Sequence, residues 1–94
     1  MKAMLLCGQT LEFTGNPFRE GWQAVAHHRR GGAVLVEQGL IRAVGEADDL
    51  RAAHPAAEVV DLGDHLLLPG FVDAHVHYPQ TRIIASWGKR LIDW

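Results

Sequence analysis

The sequence has a single cysteine, almost no excess charge and no long hydrophobic run. Cys7 is the only cysteine among 94 residues, so an intramolecular disulfide is impossible and we predict a reducing compartment, the cytoplasm. A formal net charge of -2 gives no basic surface for nucleic acid. No apolar run approaches the roughly 20 residues of a transmembrane helix. We therefore expect neither nucleic acid nor a membrane as a partner.

What is present is enough apolar sequence for one small domain with a modest core. Hydrophobic residues make up 48% of the chain, which is ordinary for a globular protein. The clearest local signal is a hairpin over residues 33–44. Two strand-like runs there are separated by Gln38-Gly39, and a glycine in the second position suits a two-residue turn that needs positive φ.

Residues 1–68 otherwise predict a mostly antiparallel β unit with short helices. An acidic first turn and a stop before Pro55 favour a short helix near residues 46–54. The remaining predicted segments are a strand region with a possible bulge at Gly8 (3–14), a long connection with turn residues at both ends (15–31), and two strands separated by a Gly63-Asp64 turn (58–62 and 65–68).

Pro69-Gly70 interrupts the last of these strands and marks a predicted boundary. Beyond it, an apolar run predicts a further strand over 71–77, and apolar spacings of three and four predict a helix over 81–94. The predicted fold class is therefore mainly β with short helices, an α+β arrangement. Residues 69–94 form a strand and the start of a helix that lack a sheet of their own.

Two histidines at the end of this run carry the most specific chemistry. His75 and His77 are separated by one residue, and alternate residues of a strand point to the same face. Neutral imidazole is a good zinc ligand, but a catalytic zinc usually has three protein ligands and one open position. Asp73 could share their face. Spacing alone leaves open whether the pair binds a metal or is incidental.

Residues 69–77, Pro-Gly-Phe-Val-Asp-Ala-His-Val-His, resemble the amidohydrolase superfamily. In that family the pattern marks the first strand of a metal-dependent (β/α)8 barrel, which is flanked by a β-sandwich built from the two ends of the chain. The resemblance implies that residues 1–68 are part of the sandwich and that 69–94 begin the barrel. It also implies that His75 and His77 bind zinc, and that Asp73 is structural.

The residues that follow resemble the bacterial guanine deaminase family more narrowly. Tyr78-Pro79-Gln80 follows the histidines, and Gly-Lys-Arg-Leu-Ile-Asp-Trp ends the sequence. The resemblance implies hydrolytic deamination of guanine to xanthine, with Gln80 contacting the purine, and a homodimer. A carboxamide offers both a donor and an acceptor to the edge of a base.

The resemblance also implies that the 94 residues are catalytically incomplete, with no catalytic proton-transfer residue among them. A (β/α)8 barrel takes about 250 residues, and the other metal ligands of the family come from later strands. Two alternatives remain open: an amidohydrolase acting on cytosine, a triazine or another ring substrate, and a small non-enzymatic β module whose histidine pair is incidental.

Overall fold

A computed structural model describes residues 2–77, which form one four-stranded sheet and three short helices. The mainly β class predicted from the sequence is confirmed. In chain order the elements are β1 (Met4–Phe13), α1 (Pro17–Glu20), α2 (Trp22–Val25), β2 (Ala26–Glu37), β3 (Leu40–Glu46), α3 (Ala47–Ala53) and β4 (Glu58–Leu67). The strands lie in the order β3-β2-β1-β4.

The hairpin between β2 and β3 lies where its turn residues predicted it. Gln38 and Gly39 have φ values of 53° and 75°, so both turn residues are in the left-handed region that a type I′ turn requires. The strands pair antiparallel from Glu37–Leu40 inward, with a register shift after Leu35. The helix predicted after this hairpin is also present, as α3.

The long connection predicted over residues 15–31 is wrong in its second half. Two four-residue helices occupy its start, and β2 begins already at Ala26. Residues 26–29 pair with β1, whereas β3 pairs only from Gly32 onward. The polar start of β2 therefore has a neighbouring strand, β1, on one side only. Charged side chains at such an edge can reach solvent without disturbing the core. Arg29 donates to Glu12 across this pair at 2.8 Å.

Residues 58–67 form one irregular strand, where the sequence predicted two. β4 runs parallel to β1, and its pairing shifts between Asp61, beside Cys7, and Leu66, beside Gln9. The predicted Gly63-Asp64 turn is a bulge inside the strand, because the flanking residues on both sides bond to the same neighbour. Gln9 secures the bulge by donating to the Asp64 carbonyl at 3.0 Å. The sheet is thus mixed, with two antiparallel pairs and one parallel pair.

The core lies on one face of the sheet, beneath α3. Leu5 and Ala33 are fully buried there, Cys7 and Leu35 nearly so, and Leu50 of α3 packs against them. Burial of such side chains is the main favourable term in the stability of a small domain. The arrangement explains why Cys7, although the chain's one thiol, behaves as a small core residue.

The opposite face of the sheet carries an apolar groove of about 390 Å³. No element among residues 2–77 covers it. Its walls come from β1, β2, β3 and the end of β4, with Leu6, Val34, Val36, Ile41, Val44 and Leu67 among the lining residues. A sheet with apolar side chains on both faces needs another part of the protein packed against each face. Among residues 2–77, no helix is long and apolar enough to cross a membrane.

Candidate metal site

The residues that follow β4 contain both candidate metal ligands, and they form no strand. The sequence predicted a strand over 71–77, but these residues have no ladder partner among residues 2–77. Strands exist through pairing, and a lone extended segment leaves its backbone groups to water. Phe71 and Val72 are accordingly 95% and 94% exposed. The strand prediction is wrong for residues 71–77 of the described chain. The apolar run shows that these residues could form a strand, but a strand needs a neighbouring strand to bond with, and residues 2–77 provide none.

The structure nevertheless brings the two histidines together. Nε2 of His75 lies 3.0 Å from Nε2 of His77. The ring centroids are 5.1 Å apart, and the ring planes differ by 25°. The side-by-side placement expected from the spacing is present, but a bend at residues 74–75 produces it where the sequence predicted the pleat of a strand. At this distance one ring nitrogen can donate a hydrogen bond to the other.

The donor set fits part of a zinc site. Zinc binds histidine nitrogen at about 2.0–2.1 Å, so two nitrogens on one tetrahedral zinc lie about 3.4 Å apart. The observed 3.0 Å needs only a small opening of the ring pair. Both side chains are exposed, so a metal ion could reach them without unfolding the sheet. Residues 2–77 contain no group of three or more His, Cys, Asp or Glu side chains that could hold a metal ion.

Asp73 contacts the pair through the backbone. Its Oδ1 accepts a hydrogen bond from the N–H of His75 at 3.0 Å, which is the local bond typical of an aspartate that starts a turn. Among residues 2–77 no third protein ligand is grouped with the two imidazoles. Gln80, predicted to contact a purine, lies outside the described residues, as do Tyr78 and Pro79.

A second polar cluster lies far from the pair in sequence, on β1, β2 and β4. His28 Nε2 donates to Gln9 Oε1 at 2.9 Å, and the amide of Gln9 donates to the Asp64 carbonyl at 3.0 Å. The sequence placed His28 in a loop, so no motif indicated this cluster; only the strand register brings its members together. Its hydrogen bonds are internal to the sheet, and a structural role accounts for them.

Comparison with known proteins supports the class to which this fold and motif point. A profile of the imidazolonepropionase-like composite domain of bacteria matches residues 32–57, the segment of β2, β3 and α3. The match agrees with the amidohydrolase resemblance of the histidine motif that follows. The similarity of the chain to guanine deaminases is the more particular finding.

The probable guanine deaminase of Deinococcus radiodurans is 54% identical over 46 residues, which cover 49% of this chain and 10% of the relative. The guanine deaminase of Escherichia coli is 36% identical over 64 residues, covering 67% and 15%. The crystal structure of guanine deaminase from Bradyrhizobium japonicum matches 100% of this chain and 21% of its own, with a TM-score of 0.82 and 32% identity. The chain thus spans a small part of the length of each relative.

Other amidohydrolases match the same region. A 5-methylthioadenosine/S-adenosylhomocysteine deaminase of Nitratidesulfovibrio vulgaris is 44% identical over 65 residues. The imidazolonepropionase of Solibacter usitatus is 37% identical over 78 residues. Similarity over this part of the chain therefore extends to enzymes whose names give different substrates, and it carries little information about the substrate.

Proposed function

We propose that the chain is part of a zinc-dependent guanine deaminase, which converts guanine and water to xanthine and ammonia. The observation that carries this proposal is the match of the whole chain to a guanine deaminase structure at a TM-score of 0.82 with 32% identity. Two imidazole nitrogens 3.0 Å apart at the end of that fold would supply two of the three protein ligands that a catalytic zinc takes.

The roles of the residues follow from their donor atoms. His75 and His77 would hold the zinc through their Nε2 atoms. Zinc, when bound, lowers the pKa of water so that hydroxide is available near neutral pH. Gln80 would contact the edge of the purine by donating and accepting through its carboxamide. The sheet of residues 4–67 would act as a scaffold from which the histidine segment leaves.

We further propose that the 94 residues by themselves are catalytically inactive. A catalytic zinc takes three protein ligands, and residues 2–77 bring two histidines together without a third ligand. Incubation of the 94-residue chain with zinc and guanine should form no xanthine above a control that contains the metal alone. Xanthine formation that depends on His75 would contradict this proposal.

Zinc binding tests the assignment of the two histidines directly. Calorimetric titration of the chain with Zn²⁺ should show one weak site, which His75→Ala and His77→Ala each abolish. His54→Ala is the matched control, since His54 is also exposed but lies at the end of α3. A dissociation constant for Zn²⁺ in the sub-micromolar range would show that further residues, or a second copy of the chain, complete the site. Equal binding by all three variants would remove the histidine pair from the proposal.

The substrate is the finer part of the proposal, because relatives named for other substrates also match the chain. The favoured substrate is guanine, and the alternative is another ring compound, such as cytosine or a triazine. A complete enzyme that carries this segment should release ammonia fastest from guanine. A change of Gln80 to Leu should then raise KM for guanine more than it lowers kcat. We also propose a cytoplasmic homodimer, which light scattering of that enzyme would test.

A further inference from the structure

We propose that Gln9 is a positioning residue that fixes where the chain leaves the sheet on its way to His75 and His77. It does so by holding the β4 bulge, residues 62–65, in place against β1. This role rests on the proposed function of the two histidines as zinc ligands and extends it to a side chain on another strand. All the contacts that support it lie within the sheet of residues 4–67.

The β4 bulge shifts the pairing of β4 along β1 by three residues. Asp61 lies beside Cys7, and Leu66 lies beside Gln9, so five steps along β4 correspond to two steps along β1. A strand rises by about 3.3 Å per residue. The bulge therefore takes up roughly 10 Å of chain that a regular ladder would have laid out along β1.

The shift decides both where β4 ends and which way its last side chains point. Leu67 lies beside Thr10, whereas a regular ladder continued from the start of β4 would place it beside Phe13. Because three is an odd number, the bulge also exchanges the two faces of the strand beyond it. Leu67 consequently lines the apolar groove. The segment that continues to the histidines thus starts at a point that the bulge determines.

Two hydrogen bonds shape the bulge from within β4. Asp61 Oδ1 accepts from the N–H of Gly63 at 2.9 Å. The ring of His65 donates through Nδ1 to the carbonyl of Leu62 at 2.6 Å. Both bonds join residues of β4 to each other, so they would move with the bulge and cannot fix its position along β1.

Gln9 and its neighbour Gly8 fix that position. The side-chain amide of Gln9 donates to the Asp64 carbonyl at 3.0 Å. Among the side-chain hydrogen bonds of residues 2–77, this is the one that joins the bulge to another strand. Gly8 leaves the space that the bulge occupies, because a Cβ at this position would lie 2.9 Å from the carbonyl oxygen of His65. Two adjacent residues of β1 are thus matched to a bulge at this place.

His28 on β2 sets the orientation of the Gln9 carboxamide. A backbone carbonyl can only accept a hydrogen bond, so the Gln9 atom that faces Asp64 is the nitrogen. Oε1 then faces His28, whose Nε2–H donates to it at 2.9 Å. Gln9 therefore bridges β2 and β4 across β1, and the bridge needs both the donor and the acceptor of an amide.

The experiment compares Gln9→Glu with Gln23→Glu in the 94-residue chain by NMR. Glutamate keeps the size of the side chain and the acceptor for His28, but a carboxylate cannot donate to the Asp64 carbonyl. Gln23 is exposed on α2, so it undergoes the same chemical change away from the bulge. Contacts between backbone protons before the bulge should persist in both variants, and those beyond it should be lost in Gln9→Glu alone. The pairs to follow are Leu6 with Val60 before the bulge, and Gln9 with Leu66 and Thr10 with Leu67 beyond it.

Two results would overturn the proposal. If both sets of contacts persist in Gln9→Glu, the bulge keeps its place without the Gln9 amide. If both sets are lost, Gln9 supports the sheet as a whole and has no particular effect on the end of β4.

A complete enzyme that carries this segment tests the link to the histidines. Misplacement of a catalytic group by 1 Å can cost about 100-fold in rate. Gln9→Glu should therefore lower kcat for guanine by about 100-fold, and Gln23→Glu should leave it unchanged. Loss of the contacts beyond the bulge with an unchanged kcat would overturn the positioning role. If the unmodified enzyme does not deaminate guanine, the proposed function fails, and the NMR contacts still decide whether Gln9 holds the bulge.

Discussion

Replacing Gly32 with alanine should destabilise the sheet, whereas the same change at its neighbour Gly31 should not. Both glycines lie within β2, but an added Cβ meets different surroundings. At Gly31 no heavy atom lies within 4 Å of the new methyl position. At Gly32 the methyl would overlap Thr10 Oγ1 and would lie 2.7 Å from Thr10 Cγ2 and 3.0 Å from Thr10 Cβ.

The magnitude follows from these distances. Carbon atoms pack favourably at about 3.5–4.0 Å, so Thr10 and the new methyl must separate by roughly 0.5–1 Å. Rotation of the threonine side chain cannot supply this, because its Cβ is itself too close. Thr10 is 1% exposed, so it has little space to retreat. Overpacking of this kind costs about 1–3 kcal/mol. The gain of roughly 0.4–1 kcal/mol from a less flexible unfolded chain applies to both glycines and cancels in the comparison.

The assay is thermal or urea unfolding of the two variants, followed by circular dichroism. Gly32→Ala should be about 1–3 kcal/mol less stable than Gly31→Ala, which in a chain of this size corresponds to a Tm difference of at least about 4 °C. Equal stability of the two variants would refute the reasoning. Thr10→Ala should restore most of the loss in a double variant. By itself it should cost little, since Thr10 Oγ1 has no hydrogen-bond partner in the described part of the chain.

Two further changes test the core and the hairpin. Leu5→Ala should lower the free energy of unfolding by about 2–5 kcal/mol, because Leu5 is 0% exposed and leaves a cavity beneath α3; Leu40→Ala, at a side chain 56% exposed, should change it by less than about 0.5 kcal/mol. Gly39→Ala should cost about 1–2 kcal/mol relative to Gly31→Ala, because only Gly39 has a positive φ, 75°, while neither meets a neighbour. Urea unfolding measures both, and equal losses within either pair would contradict the structural assignment.

The histidine pair shows how far sequence reasoning reached at the candidate site. The one-residue spacing of His75 and His77 predicted that they lie together, but the reason for that prediction, a shared face of a strand, differs from the bend seen in the structure. The spacing could not predict the bend at residues 74–75 or the hydrogen bond from the His75 N–H to Asp73. Both are found where a strand was predicted, because that strand has no partner among the described residues. The role of the pair in metal binding stays a prediction, as does the division at residues 68 and 69.

In the sheet, the sequence by itself determined the local features. The Gln38-Gly39 turn, the short helix α3 and the end of β4 before Pro69 all follow from the preferences of the residues involved. Each depends on φ, on a missing backbone N–H or on a helix end, and these are properties of a few neighbouring residues.

Only the tertiary structure decided where β2 begins, that β4 joins β1 in parallel, and which glycine is needed for packing. Residues 26–32 look like a loop because they are mostly polar and end in two glycines, yet pairing with β1 makes them part of a strand. Gly31 and Gly32 are identical in the sequence, but Thr10, 22 residues earlier than Gly32, packs against only one of them. Strand pairing and close packing join residues distant along the chain, so the physical reason for these features is absent from any local stretch.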